Sequence, residues 1–375
     1  MSLPPIDRQR VLALALLLGV GACDRDGSTE PPTISLDAER VQADVQAMEV
    51  MLGSPIWESF SLIGSGGLAL GPGVSASLAG AEELVARGTG GGGSPIIGGE
   101  VARAVVTRVM TMADVPAVSQ VRTIDPGILG TTYVFDTGEG RYVPAPDRTD
   151  APEDGIRFIL YAINPVTHQP VVESEIGYAD LIDAGSPLSS AAELQLLVVS
   201  AGVTHLDYTL TLDGTEDAVS FGVAGYLTDG VTRLDFDIGS TIAMLARGPS
   251  VAIDFRFDVP ARDFLVEGDT EIAISDTELT QDVELVVHSG ETAIRFAGAA
   301  DLATVNLTVF VNNRIFATIT GDHANPEVRG EGGRALTPEE VEALRRMLWL
   351  ADGAGELLAT LLAPIGAIVL LGGLS

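Results

Sequence analysis

Lysine is absent from this chain, and its absence excludes several chemistries. All 21 basic residues are arginine. The sequence therefore has no lysine for a phosphate-binding P-loop, for a Schiff base with pyridoxal phosphate or for a serine-lysine dyad. The glycine-rich run of residues 88–95 accordingly indicates a flexible loop rather than a phosphate cradle.

Cysteine and histidine are also scarce. Cys23 is the only cysteine, so the mature fold is expected to have no disulfide and no thiolate metal site. No histidine is paired with another at metal-ligand spacing, and no Gly-x-Ser-x-Gly nucleophile motif occurs. We therefore predict no catalytic residue, no metal and no cofactor, and we expect a protein that is not an enzyme. The histidines are His168, His205, His288 and His323.

Acidic residues, in contrast, are abundant: 52 Asp and Glu give a formal net charge of -31. Nucleic acid is a poor partner for such a chain. Neither acidic cluster has the spacing of a known calcium loop. Carboxylates paired as in glycosidases are brought together only by the fold, so the sequence leaves that alternative open. The clusters are Asp213, Glu216 and Asp217, and Asp147, Asp150, Glu153 and Asp154.

The first residues have the pattern of a secretion signal. Arg8 and Arg10 precede an apolar run over residues 11–20, and Gly21, Ala22 and Cys23 follow it. The stretch Val20-Gly21-Ala22-Cys23 resembles the lipobox of bacterial lipoproteins. That resemblance implies cleavage before Cys23, acylation of Cys23 with fatty acids such as palmitate, and a cell-envelope location. It leaves open whether the anchor lies in the inner or the outer membrane.

Strict alternation of apolar and polar residues dominates residues 157–320. Leu206, Tyr208 and Leu210 alternate with His205, Asp207 and Thr209, and similar runs cover residues 233–238 and 251–259. This period of two predicts half-buried antiparallel strands. The turn residues at 228–230, 289–290 and 312–313 predict tight hairpins between roughly ten strands.

Helical patterns lie on both sides of this region. We predict helices over residues 35–52, capped by Ser35, over 76–87 and, less distinctly, over 101–113. Residues 131–136 and 141–144 predict a hairpin. After the sheet, Thr337, Pro338 and Glu340 mark a helix start, with Val341, Leu344, Leu348 and Ala351 expected to face inward.

The sequence thus predicts an α+β fold dominated by a large curved antiparallel meander, with helices from both chain ends packed on its apolar face. Whether the sheet is open or closed stays undecided, as does whether residues 357–375 form a buried or a membrane-associated helix. The predicted regions are residues 1–22 (signal peptide), 23–34 (lipidated tether), 35–130 (helical and glycine-rich), 131–323 (sheet) and 324–375 (C-terminal helices).

Three functions fit this pattern. The first is a non-catalytic envelope lipoprotein, held to the membrane by its N-terminal lipid and binding a lipid or other hydrophobic ligand between sheet and helices. The second is a structural or protein-interaction module of the envelope, without a ligand. The third is an envelope hydrolase whose site is assembled in space. The ligand-binding residues, any protein partner and the oligomeric state are not predicted from the sequence.

Overall fold

An open, mostly antiparallel sheet of 15 strands forms most of the structure. The computed structural model describes residues 36–65, 124–185, 191–215, 218–245, 248–274, 279–301, 303–322 and 325–348, together with 350, 357 and 360–362. The described residues belong to one compact unit within Ser35–Ser375.

The strands follow one another along the chain with short connections. They are β1 (Thr131–Asp136), β2 (Arg141–Pro144), β3 (Gly155–Ile163), β4 (Pro170–Asp183), β5 (Ala192–Ser200), β6 (Val203–Gly214), β7 (Ala218–Thr228), β8 (Arg233–Leu245), β9 (Gly248–Val259), β10 (Phe264–Ile274), β11 (Leu279–Ser289), β12 (Thr292–Asp301), β13 (Thr304–Val311), β14 (Arg314–Asp322) and β15 (Glu327–Gly330).

From β3 to β15, every strand pairs antiparallel with the next, so the predicted meander is confirmed. The span that the sequence divides into roughly ten strands contains twelve, β3 to β14. The tight turns lie where the sequence places them: Gly230, Gly290, Asn312 and Asn313 all have positive φ. Such residues provide the backbone twist that two-residue hairpins need.

The beginning of the sheet departs from the simple meander. β1 and β2 form the predicted hairpin, but β1 then pairs parallel with β3, through Thr131 opposite Ile156 and Tyr133 opposite Phe158. The strand order therefore ends β4-β3-β1-β2. Alternation gives each strand its faces but not its neighbour, so the sequence does not reveal this one parallel pair.

Helix α1 (Ala38–Leu52) corresponds to the first predicted helix. Its cap is Asp37, whose Oδ1 accepts a hydrogen bond from the Arg40 amide, 3.1 Å away, so the prediction of Ser35 as the cap is wrong. A carboxylate at the N-cap satisfies a free amide and also favours the positive end of the helix dipole. Val41, Val45, Met48 and Met51 are buried.

Helix α2 (Pro55–Ser65) was not predicted. Its start has a recognisable signal: Ser54 Oγ accepts a hydrogen bond from the Trp57 amide, and Pro55 occupies the first turn. The glycines that follow Ile63 in the sequence conceal this short helix. Ile56, Trp57, Phe60 and Ile63 are its buried apolar residues.

Helix α3 (residues 338–348) begins at the predicted capping box. Glu340 accepts a hydrogen bond from the Thr337 amide, and Thr337 Oγ1 accepts one from the Glu340 amide. The inward stripe is corrected: Val341 is exposed, while Ala343, Leu344, Met347 and Leu348 are buried. The region predicted as C-terminal helices, residues 324–375, is also corrected at its start, because it contains strand β15.

Several sequence predictions fall outside the described residues. These are the signal peptide and Cys23, the helices over 76–87 and 101–113, the inward position of Ala351, and most of the uncharged C-terminal stretch. Within that stretch, residues 357 and 360–362 are described: Leu357, Leu361 and Leu362 are buried. In the described part of the chain, no helix has the length and apolar character needed to cross a membrane.

Candidate functional site

One face of the sheet is apolar and buried, and we call it the inner face. Along β6 to β13, every second side chain points to it, as the pleat of a strand requires. Its buried members from β6 to β9 are Leu206, Tyr208, Leu210, Phe221, Val223, Leu227, Leu234, Phe236, Ile238, Ser240, Ile242, Val251, Ile253, Phe255, Phe257 and Val259. Those from β10 to β13 are Phe264, Val266, Thr270, Ile272, Gln281, Leu285, Val287, Ser289, Ile294, Phe296, Ala300, Val305, Leu307, Val309 and Val311.

A buried polar cluster attaches α1 to one end of this face. The Asp44 carboxylate, only 3% exposed, accepts hydrogen bonds from Ser289 Oγ at 2.7 Å and from Arg262 Nε at 2.8 Å. Arg40 lies so close to Gly290 that a Cβ there would be 2.4 Å from its guanidinium. Ser289 is the last residue of β11, and Arg262 lies in the connection between β9 and β10 at the same end of the sheet. A single carboxylate therefore fixes the helix there.

Further hydrogen bonds tie helical residues to the sheet. The Tyr208 hydroxyl donates to the Leu361 carbonyl at 2.7 Å, and burial raises the pKa of this phenol, which keeps it protonated. Ser59 Oγ of α2 accepts a hydrogen bond from the Tyr161 amide of β3 at 3.0 Å. Arg346 of α3 also lies 3.9 Å from Glu49 of α1.

Near the Asp44 cluster, the inner face is closely packed. One row of side chains, which we call the anchored row, consists of Phe236, Phe257, Val266, Val287 and Ile294, each opposite the next across the strands. Their exposed fractions are 4, 2, 0, 0 and 0%. These side chains are therefore almost completely shielded from solvent.

A second row, which we call the distal row, lies four residues further along the strands. It consists of Phe221, Ser240, Ile253, Thr270 and Val283, again each opposite the next. The first four are 5, 2, 5 and 6% exposed, and Val283 is only half-buried. The distal row is therefore buried as far as Thr270, and its accessible end is Val283.

Within this row, Ser240 Oγ has an unusual status. In the part of the chain that the structure describes, this buried hydroxyl oxygen has no hydrogen-bond partner. By contrast, Thr270 Oγ1 donates to the Asp282 carbonyl at 2.8 Å and accepts from Gln281 Nε2 at 3.1 Å. An unpaired buried hydroxyl is unfavourable and calls for an explanation.

The outer face of the sheet also differs between the two ends. Toward the anchored end, Arg256 pairs with Glu267 at 2.6 Å and with Asp258 at 3.0 Å. Behind the distal row, Asp254 lies opposite Asp269. Partial desolvation, together with the carboxylates of Asp237 and Asp269, raises the pKa of Asp254.

The described histidines do not come together. His168 lies exposed in a turn with φ of 53°, and His288 lies on the outer side of β11. The Nδ1 atom of His205 is 3.0 Å from the Thr228 carbonyl oxygen rather than from a carboxylate. His323 is outside the described residues.

The acidic clusters also give no metal centre: in the ranges described, no group of three His, Cys, Asp or Glu side chains is arranged to hold an ion. Asp150 instead accepts a hydrogen bond from Arg157, which also pairs with Asp180 at 2.6 Å. Asp213 Oδ1 accepts one from the Gly214 amide. These carboxylates therefore have structural partners.

Comparisons with protein-family models, with curated proteins and with solved structures found no match. The candidate site consequently rests on geometry alone. Sequence reasoning missed Ser240, although a signal exists: it replaces an apolar residue in the alternating series Leu234, Phe236, Ile238 and Ile242. A serine at a position where alternation expects an aliphatic side chain marks a polar group in a core.

Proposed function

We propose that this chain is a bacterial cell-envelope lipoprotein that binds a hydrophobic ligand along the distal row. In this proposal, acylated Cys23 holds the protein to the inner or outer membrane, with the fold in the periplasm or outside the cell. Helices from both chain ends cover the inner face and enclose the ligand. The observation that carries this function is the buried Ser240 hydroxyl without a hydrogen-bond partner, in a row whose last residue, Val283, is half-buried.

The membrane anchor is supported by the lipobox-like sequence that ends in Cys23. A lipobox cysteine carries two or more acyl chains, which are enough for stable attachment. The outer face of the sheet carries many carboxylates, which anionic lipids repel, so it is a poor surface for contact with such lipids. We therefore assign the lipid anchor to Cys23.

The ligand is supported by the small amount of helical cover. A helix about 10 Å wide, rising 1.5 Å per residue, shields only a narrow strip of a sheet whose strands are about 4.8 Å apart. Helix α1 contacts this face at Ser289, and Leu361 contacts it at Tyr208, whereas the sheet extends over 15 strands. In this proposal an apolar molecule completes the cover near Val283, the half-buried end of the distal row.

A structural or interaction module without a ligand is the second candidate. The Asp44 cluster and the Tyr208 hydrogen bond favour it, because they hold the helical segments to the sheet as in a solid core. A hydrolase has no comparable support. Among the described histidines, His205 contacts a backbone carbonyl rather than a carboxylate. The two leading candidates differ in whether the distal row is filled by another molecule.

Native mass spectrometry of the protein extracted from its host membrane tests this proposal. Acyl groups on Cys23 are covalent and remain after unfolding, whereas a bound ligand is released. We expect one ligand mass that disappears on unfolding and an acyl mass that stays. In a Cys23→Ser control, the acyl mass and membrane attachment should be lost and the released mass kept. If the native mass equals the unfolded mass, no ligand is bound. The ligand-binding proposal would then be wrong, and the structural or interaction module without a ligand would remain.

A further inference from the structure

Exposed aliphatic side chains collect at one end of the sheet. In the part of the chain that the structure describes, the large apolar side chains exposed on the strands and their hairpins are Val166, Val203, Val231 and Ile315. They lie within or directly after the turns of the β3–β4, β5–β6, β7–β8 and β13–β14 hairpins. Because antiparallel strands alternate in direction, all these turns lie at the anchored end. An apolar set confined to one end indicates a contact surface.

The same end is neutral in sequence, whereas the opposite end is acidic. From β3 to β15, the connections at the anchored end and the strand residues that flank them contain equal numbers of carboxylates and arginines: Asp229, Asp263 and Glu291, and Arg233, Arg262 and Arg314. The corresponding residues at the opposite end are Asp183, Glu216, Asp217, Asp276, Glu278, Asp301, Asp322 and Glu327, and Arg247. The exposed aliphatic side chains therefore lie at the end with the smaller net charge.

Charged groups close to the exposed valines are held by the fold itself. Asp229 Oδ1 accepts hydrogen bonds from the amides of Val231 and Thr232, both at 2.8 Å. Arg262 is paired with Asp44. The Val231 side chain, which is 91% exposed, can thus enter an apolar surface while these neighbouring charges keep their partners.

The predicted lipid tether joins the fold at this end as well. The first turn of α1 contains Arg40, whose guanidinium lies beside Gly290 in the β11–β12 turn. Leu36, the first described residue, follows Cys23 by 13 positions. That length of chain spans about 45 Å at most. In the proposed acylated protein, the start of α1 is therefore held within this distance of the membrane.

We infer that the hairpin tips of the anchored end rest on the lipid bilayer, with Val166, Val203 and Val231 inserted among the head groups. This inference rests on the proposed acylation of Cys23 and adds the orientation of the fold on the membrane. The short tether raises the local concentration of lipid around the tips, so a few aliphatic contacts are enough to maintain the docking. A bilayer also reaches separated tips at once, whereas a stable protein partner needs a continuous surface of about 1,000 Å².

Quenching of a site-specific fluorophore by lipid tests this orientation. Acylation blocks the Cys23 thiol, so an introduced cysteine is the only free thiol of the chain. Val203→Cys and, at the exposed opposite end, Ala303→Cys are labelled with a nitrobenzoxadiazole maleimide. Each acylated protein is reconstituted into phosphatidylcholine vesicles with or without a lipid that carries a nitroxide on its head group. We expect the label at position 203 to lose about half of its fluorescence and the label at position 303 to lose none.

The contribution of the tips is measured with the Val203→Cys label in place. Val166→Ala together with Val231→Ala should reduce the quenching about twofold, because four methyl-sized groups no longer enter the bilayer. The matched control is Val219→Ala together with Val328→Ala, which removes the same number of carbon atoms from half-buried valines at the opposite end. This control should leave the quenching unchanged.

The other outcomes separate the docking from the anchor. Quenching at position 303 as strong as at position 203, or none at position 203, would overturn the docking and leave the acylated anchor intact. Brightening that depends on protein concentration, without quenching by lipid, would show that a second copy covers the tips instead. Labelling of the protein that has no introduced cysteine would reveal a free Cys23 thiol and overturn the anchor, and with it this orientation.

Discussion

The anchored row and the distal row have similar chemistry but different environments. Both cross β8 to β11 and both consist mainly of large apolar side chains. Next to the anchored row, Asp44 fixes a helix through Ser289 and Arg262, and the side chains are almost completely shielded. Near the distal row no such cluster is described, Ser240 Oγ has no hydrogen-bond partner, and Val283 is half-buried.

This difference shows that a polar contact can decide which part of an apolar face becomes a tight core. The hydrophobic effect covers both rows but is non-directional, so it does not select where a helix rests. A buried carboxylate with two partners does select a position, because leaving it unpaired is so unfavourable. Hydrophobic burial thus favours cover in general, and Asp44 fixes the point at which α1 contacts the sheet.

Truncating one phenylalanine in each row is expected to have the largest effect. Phe257→Ala should lower the free energy of unfolding of the delipidated protein by about 4 kcal/mol, as for other well-packed Phe side chains. Phe221→Ala should lower it by about 3 kcal/mol, because Phe221 is 5% exposed against 2% for Phe257 and loses fewer contacts. Urea denaturation measures both. Equal losses would mean that the two rows are packed alike.

Removing the anchor is expected to have an intermediate effect. Asp44→Ala leaves the Ser289 hydroxyl and the Arg262 guanidinium without their carboxylate, and we expect a loss of about 2 kcal/mol, since Arg262 is partly solvated. The anchored row should also become more accessible, so the variant should bind more N-phenyl-1-naphthylamine. Gln46→Ala, at an exposed position of the same helix, is the control. An unchanged stability for Asp44→Ala would remove the basis for calling this row anchored.

Much of the sheet could be predicted from the sequence, because strands and turns are local. The alternation around Tyr208 and the turn residues at 312–313 determine strand faces and hairpins without knowledge of the rest of the fold. The parallel contact of β1 with β3 could not be predicted, because it depends on which edge remains free once the hairpins have formed. The helix at Pro55–Ser65 was predictable from Ser54 and Pro55 but was concealed by its apolar, glycine-rich sequence.

The candidate site could be predicted only in part. The identity of the inner face follows from alternation, but the two rows differ through residues far apart in sequence. Asp44 and Ser289 are 245 residues apart, and a polar residue on a helix face normally indicates a solvated position. The same limit applies to Ser240, whose lack of a partner emerges only when every neighbour is known.

The smallest expected effect comes from the outer face behind the distal row. Burial and two neighbouring carboxylates raise the pKa of Asp254 in the folded state. Its contribution to stability is therefore fully present below the unfolded-state pKa and is lost as pH rises through the folded-state pKa. At pH 7 the ionised group lies opposite Asp269, an unfavourable like-charge pair.

Replacing this carboxylate should relieve that repulsion. Asp254→Asn should raise the Tm at pH 7 by about 1 °C, as expected for a few tenths of a kcal/mol. The gain should shrink as the pH is lowered toward the raised pKa of Asp254, where this carboxylate itself becomes protonated. Glu173→Gln, an exposed carboxylate of β4, should show no such pH-dependent gain. A loss of Tm in Asp254→Asn would contradict this prediction. It would show that the carboxylate of Asp254 stabilises the strand even though Asp269 lies opposite it.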